Sequence, residues 1–306
     1  MMDSNAELRE FLRTRRARLH PEAVGLSSYG GRRRVPGLRR EELAQLAGVS
    51  FDYYVRLEQG RSLNASDSVL DAIAAALRLS PTERAHLFDL ARPRGAGPQA
   101  RETPGVRPGV RRLIEMITGT PAFLLNRRFD VVAWNDLAAA LIVDWSTLPR
   151  PDRNLPRFLF LDERARSVYA DWSGAARESV ATLRMAAGRN ADDAPLNALI
   201  GELSVKSREF GRLWARHDVK ERSHGVKRFR HAIAGEITVS YEALQLPADP
   251  GMTLMIYTVE AGSPSEDAMQ RLIGLLDSRR RHRSQAHSAV PEDRVVGPGE
   301  PAGAPP

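Results

Sequence analysis

Residues 38–61, LRREELAQLAGVSFDYYVRLEQGR, constrain the fold more than any other part of the chain, because they specify two short helices joined by a tight turn. The first helix is expected over 41–47, where Leu43, Ala44, Leu46 and Ala47 form an apolar stripe with small residues for close packing. Gly48 ends it, since glycine takes the positive φ that reverses the chain at no steric cost. Val49 fills the angle between the helices. Ser50 is the expected N-cap of a second helix over 51–59, and Asp52 places negative charge near that helix's positive end. Tyr54 and Leu57, three apart, should face the first helix and leave Phe51, Asp52, Tyr53, Val55 and Arg56 on the more accessible surface. Gly60 closes the unit.

These residues resemble the helix-turn-helix domain of the XRE family of phage repressors and their relatives. The match rests on Glu42-Leu43-Ala44, Ala47-Gly48-Val49-Ser50 and the closing Leu57-Glu58-Gln59-Gly60-Arg61. The resemblance implies that the second helix enters the major groove of double-stranded DNA N-terminus first. On that reading Arg39 and Arg40 hold phosphates, Phe51, Asp52, Tyr53 and Arg56 meet base edges or thymine methyls, and Ser50 and Arg61 touch the backbone. The alternative is a helical hairpin that touches no nucleic acid. The family also implies a pairing of Arg16 with Glu58, which would clamp the opening helix to the reading helix; a solvated Arg16 is the alternative.

Length allows two domains of ordinary size in 306 residues. The absence of cysteine removes disulfides, thiolate zinc sites and cysteine catalysis together. No apolar run approaches the roughly 18 to 20 residues that span a bilayer, and the opening MMDSNAELRE lacks a signal pattern, so a cytoplasmic protein without a membrane partner is expected. A net charge of +7 and a pI near 10.2 are weak pointers to an anionic partner. The distribution says more. Residues 1–40 hold ten arginines against four acids, so the excess sits beside the two-helix unit. Arg32, Arg33 and Arg34 lie in a long loop there, and either grip phosphates, enter a narrow minor groove, or form a solvated arginine run.

Around this unit, helices are expected over 6–19, over 66–79 with Ser66 as cap, and from Ser80-Pro81 onward, which makes five helices in all. The stretch 93–108, PRGAGPQARETPGVRP, cannot supply a core and is expected to be a linker. After a short helix over 110–117, PAFLLNRRFDVVAW at 121–134 predicts a hairpin around Asn126-Arg127-Arg128, with Asn135 capping a helix over 136–143. Strand-like runs return at 228–240 and 254–260, and 161–188, 195–204 and 206–217 are helical by pattern.

A hairpin that leads through Trp-Asn into helices and returns to antiparallel strands resembles the PAS sensor fold. Over about residues 6–277 the chain resembles the MmyB-like transcription regulators of actinobacteria, on GRRRVPGLRREELAQLAGVS, DYYVRLEQGR, TPAFLLNRRFDVVAWN, WARHDV and VEAGSPS. The expectation is therefore an α+β protein. An all-α five-helix helix-turn-helix domain (1–92) and a linker (93–108) precede a PAS-like ligand-binding domain with an antiparallel sheet (109–278) and a disordered tail (279–306). The resemblance implies a fatty-acid-like or other small apolar ligand.

The residues themselves say less about that ligand. Trp134, Phe160 and Trp214 are pocket candidates, although aromatics in a domain of this size usually belong to the core. Arg216 and His217 suit a carboxylate anchor, or else a structural hydrogen-bond cluster. His217, His224 and His231 are seven apart, which is not the spacing of a helical metal pair, and no nucleophile elbow, phosphate loop or dinucleotide motif occurs. No cofactor, metal or catalysis is expected. One short helix reads few base pairs, so a homodimer on a two-part operator is expected. Two rivals stand: a small-molecule carrier whose helical head makes protein contacts, and an enzyme domain fused to a DNA-binding head.

Overall fold

The computed structural model describes residues 4–26, 37–61, 65–92 and 105–288. Arg32, Arg33 and Arg34 lie outside the described residues, as does most of the expected linker.

Five helices form the head: α1 (Ser4–Arg18), α2 (Arg40–Leu46), α3 (Phe51–Glu58), α4 (Asp67–Ala76) and α5 (Pro81–Ala91). Their starts follow from side-chain capping of free backbone N–H groups. Ser50 Oγ accepts from Tyr53 N at 3.2 Å and Ser66 Oγ from Val69 N at 3.4 Å. At α5, Ser80 and Glu83 cap each other reciprocally at 3.3 and 2.8 Å, and Pro81 occupies the first turn. The apolar faces close on one core that includes Leu8, Phe11, Leu43, Tyr54, Leu57 and Ile73, all fully buried. Each such side chain contributes about 1.5–3 kcal/mol through burial.

The second unit begins with α6 (Pro108–Met116), followed by β1 (Ala122–Leu125), β2 (Val131–Trp134) and α7 (Asp136–Leu141). The helices α8 (Leu155–Leu161), α9 (Arg164–Val168), α10 (Trp172–Arg189), α11 (Ala194–Lys206) and α12 (Arg208–Trp214) follow. Strands β3 (His224–His231), β4 (Gly235–Gln245) and β5 (Thr253–Thr258) then lead into α13 (Pro264–Ser288). The five strands form one antiparallel sheet in the order β2-β1-β5-β4-β3. This is the expected α+β arrangement with an antiparallel sheet.

Alternation along β4 buries Ile237, Val239 and Tyr241 on the helix-covered face. Strand β1 is buried on both faces, because α6 packs Val110 and Ile114 against Ala122 and Leu124 from outside. Asn135 joins hairpin to helix: its Oδ1 accepts from Ala122 N at 3.1 Å and Ala138 N at 2.9 Å.

Three elements differ from the sequence pattern. The strand-like run 228–240 is two strands, since the chain reverses between His231 and Gly235, where φ is +88°. The helical stretch 161–188 is broken at Tyr169, which bridges to Phe229, while Ala170 N donates to Arg228 O at 2.9 Å. Sheet pairing outweighs local helix propensity there. Helix α13 continues to Ser288, through the start of the segment from 279 onward expected to be disordered. No helix among the described residues is long and apolar enough to cross a membrane.

Candidate nucleic-acid interface and sensor cavity

The bend between α2 and α3 is set by Gly48, whose φ of +64° is left-handed backbone. It presents α3 with Tyr54 and Leu57 buried beneath and its leading end uncovered. Phe51 is 45% exposed, a large apolar side chain left in water at the first position of the helix. Asp52 and Arg56 are exposed, and Arg56 Nε donates to Asp52 O at 3.4 Å, so the guanidinium lies back along the helix. Tyr53 is half-buried against the head core. Ser50 is exposed but spends its hydroxyl oxygen on the cap; its O–H remains a donor. Arg39 and Arg61 are exposed at the two ends of the motif.

Arg40 is exposed at the start of α2. Its Nε and Nη2 both donate to Glu58 Oε1 at 3.2 Å, so it also joins a clamp on the end of α3. Glu58 is 1% exposed and also accepts from Arg16 Nη2 at 3.1 Å and Arg16 Nε at 3.3 Å. Arg16 Nη1 donates to Leu38 O at 2.6 Å. One carboxylate thus ties α1, the start of α2 and the end of α3 together.

In the second unit a small cavity of about 20 Å³ lies between the sheet and helices α8 and α10. Tyr169, Glu178, Arg222, Lys227, Tyr241 and Tyr257 supply its polar groups. An open cleft of about 230 Å³ runs along α10 from Thr182 to Asn190, and Arg222 lines this space too. Glu178 Oε2 accepts from Lys227 Nζ at 2.7 Å, and Oε1 accepts from Lys220 Nζ at 2.5 Å and from the Tyr241 hydroxyl. Burial would raise this carboxyl, but the two ammonium groups and the phenol outweigh it and hold it down to about 2.

Arg222 is unlike its neighbours. Its guanidinium sits over the Phe129 ring at 4.6 Å and forms no hydrogen bond or ion pair with a carboxylate among the described residues. Desolvation pushes its pKa down. The Tyr257 hydroxyl is buried with no hydrogen-bond partner among the described residues, and burial pushes its pKa well up. An underpaired cation and an orphaned hydroxyl facing one cavity form an arrangement suited to a hydrogen-bond-accepting group, since the Glu178 carboxylate on the same wall is already held by Lys220, Lys227 and Tyr241.

None of the five sequence candidates lines this cavity. Trp134 lies beside α7 and α13 with Arg153 over its ring at 5.6 Å. Phe160 and Trp214 meet across Phe210, at centroid distances of 5.2 and 5.5 Å, inside the helical layer. Arg216 pairs with Asp218 at 3.3 Å, and the carbonyls of Arg216 and His217 accept from Arg18 and Arg15 of the head. Their cluster is a junction between the two units. Arg222 carried no signal in the sequence, because its role depends on which strand and helix close over it.

The family model for a helix-turn-helix domain matches residues 7–87. The model of the MmyB-like transcription regulator ligand binding domain matches residues 106–272. No curated protein matches the chain. An uncovered α3 over buried Glu58, followed by a domain with a five-stranded sheet and a cavity, agrees with both, and the chain belongs to the family of MmyB-like transcription regulators, DNA-binding proteins with a ligand-binding domain.

Proposed function

We propose that the chain is a sequence-specific regulator that binds double-stranded DNA as a homodimer on a two-part operator and senses a small apolar or fatty-acid-like ligand. The single observation that carries the DNA half is the uncovered leading face of α3, with Phe51, Asp52 and Arg56 outward over buried Tyr54 and Leu57. In the major groove Phe51 suits a thymine methyl, Arg56 a guanine edge and Asp52 a cytosine amine, with Tyr53 reaching from the flank. Ser50, Arg39 and Arg61 meet phosphates, and Arg32, Arg33 and Arg34 extend that contact. Arg40 also holds the end of α3 through Glu58.

The ligand half rests on Arg222. An acid-headed ligand would place its carboxylate on Arg222 and Tyr257 and its chain among the apolar residues of the cavity and cleft. The cavity of about 20 Å³ is too small for such a chain, so binding requires Arg222 to move aside and join the two spaces. A mobility-shift assay on the chain's own upstream region, at several salt concentrations, tests the DNA reading. A retarded band that survives excess unrelated DNA is the expected result; equal competition by unrelated DNA refutes sequence-specific binding.

A further inference from the structure

The head and the sensor meet along α10. Its residue Arg184, 1% exposed, pairs through Nη1 with Glu7 of α1 and donates through Nη2 to Trp214 O, with its guanidinium carbon 3.9 Å from the Trp214 ring centroid. Arg15 of α1, 5% exposed, donates to His217 O at 2.6 Å. Arg18 pairs with Asp218 at 2.8 Å, and Arg189 of α10 reaches Asp89 of α5 at 3.4 Å. Buried His86 of α5 fits against Gly188 of α10.

This seam is poorly satisfied for something so buried. Six of the ten buried side-chain polar atoms that lack a hydrogen bond among the described residues lie in it: Arg15 Nε and Nη1, Arg184 Nε, both ring nitrogens of His86, and His217 Nδ1. Three of the six face an acid without a hydrogen bond: Arg15 Nε lies 3.0 Å from Glu83, Arg15 Nη1 3.7 Å from Asp218 and His217 Nδ1 3.8 Å from Glu7. A permanent core would fill such positions with apolar side chains, since buried charges regain their hydration loss only with complete partners. Water would complete the hydrogen bonds these groups lack.

The seam is also mechanically joined to the cavity. Helix α10 carries Glu178 and Ser179 on the cavity side and Arg184 and Gly188 on the seam. The strap 214–222 runs from Trp214, through Arg216, His217 and Asp218 at the head, to Lys220, which donates its N–H to Ala181 O at 3.2 Å, and on to Arg222.

We propose that the seam is a releasable clasp, closed by Arg184 on Glu7 and by the strap on Arg15 and Arg18, whose opening frees the reading head from the sensor. Motion of Arg222 would reach the head through one short strap. The clasp rests on the regulator reading for its consequence, but its test needs no DNA, so failure of DNA binding and failure of the clasp are told apart.

The chain has no cysteine, so Ala75→Cys in the head and Val205→Cys in the sensor, both exposed, give two unique dye positions in the full chain. Single-molecule energy transfer should show a dominant docked population and a minor open one. Gly188→Ala wedges the seam, because a Cβ there would stand 2.6 Å from His86 Cε1, while alanine improves the helix itself. It should raise the open fraction at least tenfold with the circular dichroism spectrum unchanged. Glu7→Gln alone, which leaves buried Arg184 without its carboxylate, should do the same, and Asp218→Asn, at a partly exposed site, should do so more weakly. If the variants that stay folded keep one unaltered docked population, the clasp is wrong and the seam is a fixed interface.

Discussion

Replacing Glu58 by Ala should unfold the head far more readily than its single carboxylate suggests. The side chain is 1% exposed and receives four hydrogen bonds, two from Arg16 and two from Arg40, at 3.1–3.3 Å. Arg40 is 45% exposed at its side chain, so water replaces its partner and that pair is worth only about 0–1 kcal/mol. Arg16 is 9% exposed and would keep only the Leu38 carbonyl, which leaves a buried cation short of partners; such losses cost about 3–5 kcal/mol. Against a total stability of about 5–15 kcal/mol this is a large share. At about 4–8 °C per kcal/mol for a domain of this size, the melting temperature of the head should fall by roughly 12–40 °C. Thermal and urea unfolding of the full chain, followed by circular dichroism and by Tyr fluorescence, reads the effect. Arg16→Met combined with Glu58→Leu should recover much of the loss, because it removes the buried charge together with its partner. A Glu58→Ala loss below about 1 kcal/mol, or a double variant no better than the single one, would refute the clamp as the element that holds α3.

On DNA, Arg56→Ala should cost about 1–3 kcal/mol and relax preference at one base position; selection from a randomised operator checks it, and uniform weakening would make Arg56 a phosphate contact instead. In the sensor, Arg222→Gln should weaken binding of laurate roughly 10- to 100-fold, the worth of a charge-assisted hydrogen bond of about 1.5–3 kcal/mol; calorimetry giving equal affinities would remove Arg222 as the anchor. Acid should destabilise the docked fold through two histidines. Burial first, then Arg184 and other cations, pushes His86 down to about 3 and His217 down to about 4. Glu10 opposes this at His217, and Glu7, 3.8 Å from His217, has its own carboxyl raised by burial and works the other way. A base with its folded pKa depressed takes up its proton first in the unfolded chain. Its stabilisation is therefore complete above about pH 6.5 and declines below it, by about 1.4 kcal/mol per histidine at one unit lower. Denaturation midpoints that stay flat from pH 7 to 5 would contradict this.

The head was legible because its signals are local. Capping at Ser50, Ser66 and Ser80, the left-handed turn at Gly48 and the apolar spacing of Tyr54 and Leu57 each act within a few residues, so the residue order itself carries them. The hairpin around Asn126 and the cap at Asn135 were legible for the same reason. Pattern alone misplaced what long-range pairing decides: the reversal between β3 and β4, and the break at Tyr169 where it bridges to Phe229.

Charged residues show the division most clearly. Arg16, Arg40, Arg184, Arg216 and Arg222 are equivalent letters in an arginine-rich chain, and their roles follow from which side chains surround each guanidinium. The fold puts Arg16 and Arg40 on one carboxylate, Arg184 and the Arg216 carbonyl in the seam, and Arg222 at the cavity without a direct ion pair among the described residues. Helix positions and caps are properties of neighbouring residues, so sequence fixes them. A charge takes its meaning from desolvation and partners distant in the chain, and only tertiary packing supplies those.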